Sequence, residues 1–90
     1  MGTRQLCDLA GIGPAMLKDF ELLRVGSVEQ LAAQDPLVLY DDLCRLTGAR
    51  QDPCVLDTFC CAVAQARDPE LPAEQRNWWY WSRIRKAKQK

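Results

Sequence analysis

LCDLAGIGPAMLKDFELLRVGSVEQL, residues 6–31, is the stretch on which the fold turns. Two glycines bracket an aliphatic residue, with apolar positions before them and a proline-led helical pattern after. Gly11 is suited to the positive-φ conformation that ends a helix, Ile12 to pointing into a core, and Gly13 to letting a ligand or another backbone come close. Pro14 stands at a first helical position, where its missing amide costs nothing. Leu17, Phe20 and Leu23 then recur at helical spacing up to about Arg24. Residues 4–10, with Leu6 and Leu9 on one side, predict a short helix stopped by Gly11. The stretch thus reads as two helices joined by a tight hairpin. The amides of Gly11, Gly13, Ala15 and Met16 converge where a helix begins, and the dipole there favours an anion such as a backbone phosphate.

Outward from the hairpin, every signal is helical. Gly26 closes the second helix, and Ser27 with Gln30 fits a capping box opening a helix over 28–33. Asp35-Pro36 and Asp52-Pro53 each pair a carboxylate cap with a first-position proline. The first opens a helix through Leu37, Val38, Leu39, Tyr40, Leu43 and Leu46, which Gly48 ends. The second runs to about Arg67 and presents Val55, Leu56, Phe59, Val63 and Ala66 to the core. Asp68-Pro69 and Pro72 break it, and a last short helix is predicted over 78–81. No segment alternates as a strand would. The expected fold is all-α, a compact SAM-like bundle of five to six short helices at mixed angles.

Composition sets the class. The chain has 90 residues, 48% hydrophobic and 27% charged, as in a soluble single domain. Its formal net charge is zero, but unevenly distributed: residues 1–75 hold 12 acidic and 6 basic residues, a net of −6, while 76–90 hold 6 basic and none acidic. A domain over 1–81 followed by a basic tail over 82–90 is therefore expected, the tail carrying Arg83, Arg85, Lys86, Lys88 and Lys90. No apolar run is long enough to span a membrane, and the opening MGTRQLCDLAG lacks the pattern of a signal peptide. With five cysteines, an odd number, the thiols are expected to be reduced and the location cytoplasmic.

The register of residues 6–31 resembles the helix-hairpin-helix motif, in which a G-aliphatic-G hairpin grips a DNA phosphate without reading sequence. With DPLVLYDDLCRLTGARQDPCVLDTFCCAV and the closing WWYW, the chain from about Leu6 to Trp81 resembles a small bacterial family of pathogenicity-locus or mitomycin-resistance proteins. The resemblance implies a helix-hairpin-helix domain, DNA association and no defined catalytic activity. Two departures stand out. Where a basic residue often follows the second glycine, this chain has Pro14-Ala15-Met16; the nearest cation is Lys18, and Asp8 and Asp19 lie close. Where a glycine commonly ends the second helix stands Arg24, with the glycine displaced to Gly26. Arg24 at positive φ would cost about 1 kcal/mol.

The expected function is non-enzymatic, non-specific DNA-backbone binding through Gly11, Ile12, Gly13, Ala15, Met16 and Lys18, with the basic tail adding affinity. One alternative is a protein-interaction module of the same fold, its acidic body docking a basic partner. A second is a thiol-dependent redox protein using Cys54 and Cys61, favoured by the helix dipole at Cys54 and opposed by the charges of Asp52 and Asp57. Cys44, Cys54, Asp57 and Cys61 are weak candidates for zinc, because no histidine and no C-x-x-C pair is present. No metal or cofactor is expected. Aromatics beside cations at WWYW and RIRKAKQK suit single-stranded nucleic acid, although two or three of those rings are expected to seal the core.

Overall fold

Side-chain caps and prolines place most of the helix starts. The computed structural model describes residues 4–88. A 3₁₀ turn at Leu6–Asp8 precedes helices α1 (Pro14–Leu22), α2 (Val28–Ala32), α3 (Pro36–Thr47) and α4 (Pro53–Arg67); a second 3₁₀ turn at Ala73–Arg76 leads into α5 (Trp78–Lys88). Among the described residues there is no strand. Asp35 Oδ1 accepts from the Leu37 amide at 2.9 Å, and Asp52 Oδ1 accepts from the Cys54 amide at 2.9 Å. Ser27 Oγ accepts from the Gln30 amide at 3.1 Å. Gln30 reaches back one residue further than a capping box requires, its Oε1 accepting from the Gly26 amide at 2.6 Å.

The helix expected over 4–10 is a single 3₁₀ turn, because side chains claim the backbone groups a longer helix would use. Asp8 Oδ2 accepts from the Gln5 amide at 2.7 Å, Leu9 is extended (φ −77°, ψ 141°), and the Ala10 amide donates to Gln65. The chain then turns at Gly11, with φ +83°.

Two helices end in the same way. The Val25 amide donates to the Phe20 carbonyl and the Arg24 amide to that of Glu21. Likewise the Ala49 amide donates to the Cys44 carbonyl and that of Gly48 to Arg45. This pairing is a Schellman motif, whose pivotal residue is left-handed. Gly48 fills that place in α3 (φ 67°) and Arg24 fills it after α1 (φ 60°). Arg24, rather than the Gly26 expected to close the helix, is thus the left-handed residue at the end of α1.

α4 runs through the middle, packing on α2, α3 and α5. Phe59 of α4 and Phe20 of α1 are fully buried with ring centroids 5.7 Å apart. Leu31, Leu39, Leu43 and Val63 close round them. Val55 and Leu56, expected in the core, are half-buried. Arg67 ties the end of α4 to the end of α2, donating to the carbonyls of Ala32 and Gln34 at 2.8 and 2.9 Å.

The last helix is longer than its sequence reading. Instead of stopping at 81, α5 continues to Lys88 and takes in Arg83, Arg85, Lys86 and Lys88; Lys90 lies outside the described residues. The extension has a tertiary cause: Ser82 is buried, Ile84 is half-buried, and Arg85 is paired with Asp57 on α4. No described helix is long and apolar enough to cross a membrane.

Candidate functional site

The six residues expected to face a phosphate lie on the hairpin and the first turns of α1, and they divide by what they do for the fold. Gly11 is required by its own backbone, since φ +83° disfavours a side chain. Ile12 and Met16 are half-buried against the core and anchor the loop. Ala15 and Lys18 are exposed. Gly13 is required by neither conformation nor packing. Its φ is −100° and ψ −178°, which any residue adopts, and a Cβ added there meets nothing within 4 Å. Among the described residues, none accepts a hydrogen bond from the amides of Gly11, Gly13, Ala15 or Met16, and α1 begins with the Leu17 amide donating to the Gly13 carbonyl.

Gln65 holds this loop in place. Its carboxamide is buried, with Oε1 accepting from the Ala10 amide at 2.9 Å and Nε2 donating to the Ala10 carbonyl at 3.0 Å. Arg4 binds the same end of α4, donating to the carbonyls of Gln65 and Ala66 at 2.8 and 3.1 Å. Arg76, whose Nε donates to the Leu71 carbonyl at 2.7 Å, joins Arg4, Asp8, Ala10, Gln65 and Asp68 around a cavity of about 210 Å³. Two guanidiniums therefore stand at the base of the hairpin, balanced by two carboxylates. Sequence reasoning missed Gln65, Arg4 and Arg76 as parts of this neighbourhood, because the contacts of Gln65 and Arg4 span more than 50 residues, and Arg76, bonded only to the nearby Leu71 carbonyl, is brought beside them by the fold. Asp19, on α1, is half-buried, and desolvation raises its carboxyl above the ordinary value.

The basic helix is fixed from the other end of α4. Arg85 donates to Asp57 through Nε at 2.9 Å and Nη2 at 3.1 Å, a two-point pair with side-chain exposures of 18% and 1%. Asp57, read from sequence as a neighbour of thiols, is the counter-ion of Arg85, and the hydrogen bond raises the guanidinium pKa. Arg83, Lys86 and Lys88 have no carboxylate partner among the described residues. Gln65 and Asp57 are eight residues apart on α4, about 12 Å along the axis and about 80° around it. One rigid helix thus spaces the hairpin from the anchor point of α5.

The five thiols differ in burial and in surroundings. Cys61 is buried, Cys44 and Cys60 are half-buried, and Cys7 and Cys54 are exposed; all five are free. The Asp52 carboxylate beside Cys54 pushes its thiol up, against the helix dipole. Burial, reinforced by Asp57, pushes Cys60 up to about 11, and burial also raises Cys61. Among the described residues, no three Cys, Asp or Glu side chains come together in a way that would hold a metal ion.

Of the WWYW rings, two turn inward. Trp81 donates its indole N–H to the Gln75 carbonyl at 2.8 Å, and Tyr80 meets its ring edge-on at 5.3 Å. Trp78 and Trp79 remain 47% and 42% exposed.

The pathogenicity-locus family matches residues 2–87, nearly the whole chain. This chain belongs to the pathogenicity-locus family. A family relative, the mitomycin resistance protein McrB of Streptomyces lavendulae, is 38% identical over 81 residues, covering 90% of this chain and 73% of that protein. The hairpin, the Asp57–Arg85 pair and the exposed tryptophans all fall inside the stretch that this pathogenicity-locus match covers. No solved structure matches the chain.

Proposed function

We propose that this protein is a small, non-enzymatic DNA-associated factor that holds a backbone phosphate on the amides of its hairpin while α5 supplies non-specific electrostatic affinity. The observation that supports it is Gly13. A glycine that the fold needs neither for its φ nor for its packing, at a helix start with unused amides, leaves room for an anion to approach the backbone. Lys18, Arg83, Lys86 and Lys88 supply the cations that Ala15 and Met16 do not. Recognition of this kind reads backbone shape and not base sequence. The biological setting is the one its relative's name carries, resistance to mitomycin.

Fluorescence anisotropy of the intact chain on a short labelled duplex, over a series of salt concentrations, tests this reading. Four cations set a slope of log affinity against log salt no steeper than about −4. Absence of binding at low salt overturns it.

A second reading, a protein-interaction module, draws on a different surface, between the end of α1 and α3. Leu22 and Leu46 are 52% and 58% exposed, and line a groove of about 360 Å³ with Leu23, Arg24, Asp42 and Arg45. A protein retained stoichiometrically after nuclease treatment, and lost on Leu46→Asp, favours that reading.

A further inference from the structure

The four rings of WWYW share one helix but not one fate. Trp81 and Tyr80 lie against the body of the protein, while the adjacent Trp78 and Trp79 keep 47% and 42% of their surface open to solvent. Two neighbouring indoles contribute a large apolar area to the surface of a chain this small. Trp79 also has a cation beside it. The Arg83 guanidinium carbon lies 4.8 Å from its ring centroid, within cation–π range. That contact lies over one face of the indole, and the ring still keeps its 42% exposure.

The cations are aligned with the ring. Trp79, Arg83 and Lys86 fall at i, i+4 and i+7, an arc of about 60° that extends about 10 Å along α5. Both Arg83 and Lys86 are exposed, and α5 carries no acidic residue. The pairing of Arg85 with Asp57 locks the helix to α4, so the stripe is presented on a fixed support.

From this juxtaposition, a flat apolar ring with cations one and two turns beyond it, we infer that α5 is a stacking platform for the unpaired bases of single-stranded nucleic acid. One base stacks on the open face of Trp79, and the neighbouring phosphates fall to Arg83 and Lys86. A duplex hides its base faces within the stack and offers this surface only phosphates. The inference rests on the reading that the chain binds a nucleic-acid backbone, and adds the form of nucleic acid it prefers.

The test uses the intact chain, anisotropy with oligothymidylate and with a blunt duplex of equal length, and tryptophan emission. The expected result is tighter binding of oligothymidylate, with quenched emission. Trp79→Ala weakens that binding by about 5-fold or more and leaves duplex affinity unchanged. Trp79→Phe restores part of the loss. Because Trp79 lies outside the hydrophobic core, both variants are expected to keep the native circular dichroism spectrum. Duplex affinity equal to or above that of the single strand, or no effect of Trp79→Ala on the single strand, overturns the platform and leaves the backbone reading standing. Binding to neither nucleic acid overturns both. Blue-shifted emission with phosphatidylglycerol vesicles, without quenching by oligothymidylate, assigns the rings to a membrane surface and also overturns the platform.

Discussion

The Gln65 carboxamide meets the Ala10 peptide from both sides, accepting from its amide at 2.9 Å and donating to its carbonyl at 3.0 Å across 55 residues of chain. A primary amide is the side chain that satisfies a peptide in this reciprocal way. Gln65→Leu removes both bonds at a buried position. It is expected to destabilise the fold by about 1–3 kcal/mol in urea titration and to weaken duplex binding further as the hairpin loosens. A variant as stable as the parent would show that the loop is held by Ile12 and Met16 alone.

The same helix holds α5 by an ion pair, and the two partners are not equivalent. Asp57 is 1% exposed and cannot regain water if Arg85 is removed, whereas Arg85 lies at the rim. Arg85→Met therefore strands a buried carboxylate, and is expected to melt below both the parent and the double variant Asp57→Leu/Arg85→Met. Thermal melts of the three proteins check this order. A double variant no more stable than Arg85→Met would contradict it.

Arg24 holds the left-handed place that Gly48 fills at the end of α3. Arg24→Gly relieves the Cβ strain and costs some chain entropy, so stability is expected to rise by up to about 1 kcal/mol. A loss of stability would mean that the Arg24 side chain makes a contact worth more than its strain.

How far this architecture is legible in the sequence follows from the range of each interaction. Ser27, Asp35 and Asp52 with Pro36 and Pro53 act within one helical turn, and the helices begin where those residues predict. Gly48 and the oddity of Arg24 are local in the same sense. The 3₁₀ turn at Leu6–Asp8 escaped because propensity favours a helix there and the competitor, Gln65, lies 55 residues on. The length of α5 escaped for a similar reason. A run of cations with little apolar content reads as a tail until Asp57 appears across the gap to hold Arg85. The hairpin amides were legible from GIG, and the independence of Gly13 from the fold was not. That fact depends on the empty volume beside it.

Asp19 adds a pH dependence with a definite sign. Burial holds its carboxyl above the ordinary value, so the folded state binds that proton more tightly than the unfolded chain does. The associated stability is complete below the unfolded pKa and is lost as pH rises through the raised one. Asp19→Asn is therefore expected to melt slightly higher than the parent at about pH 7, a small effect because the group is partly solvated, and to match it at about pH 3. Equal melting temperatures at both pH values would contradict this.

The claim on which the functional account depends is that the space beside Gly13 belongs to a ligand. Gly13→Val, measured by duplex anisotropy alongside thermal melting, tests it most directly. The open volume and ordinary φ predict a stability within about 1 kcal/mol of the parent, together with weaker duplex binding because the branched side chain blocks the hairpin amides. A folded Gly13→Val protein that binds duplex as tightly as the parent would contradict the account.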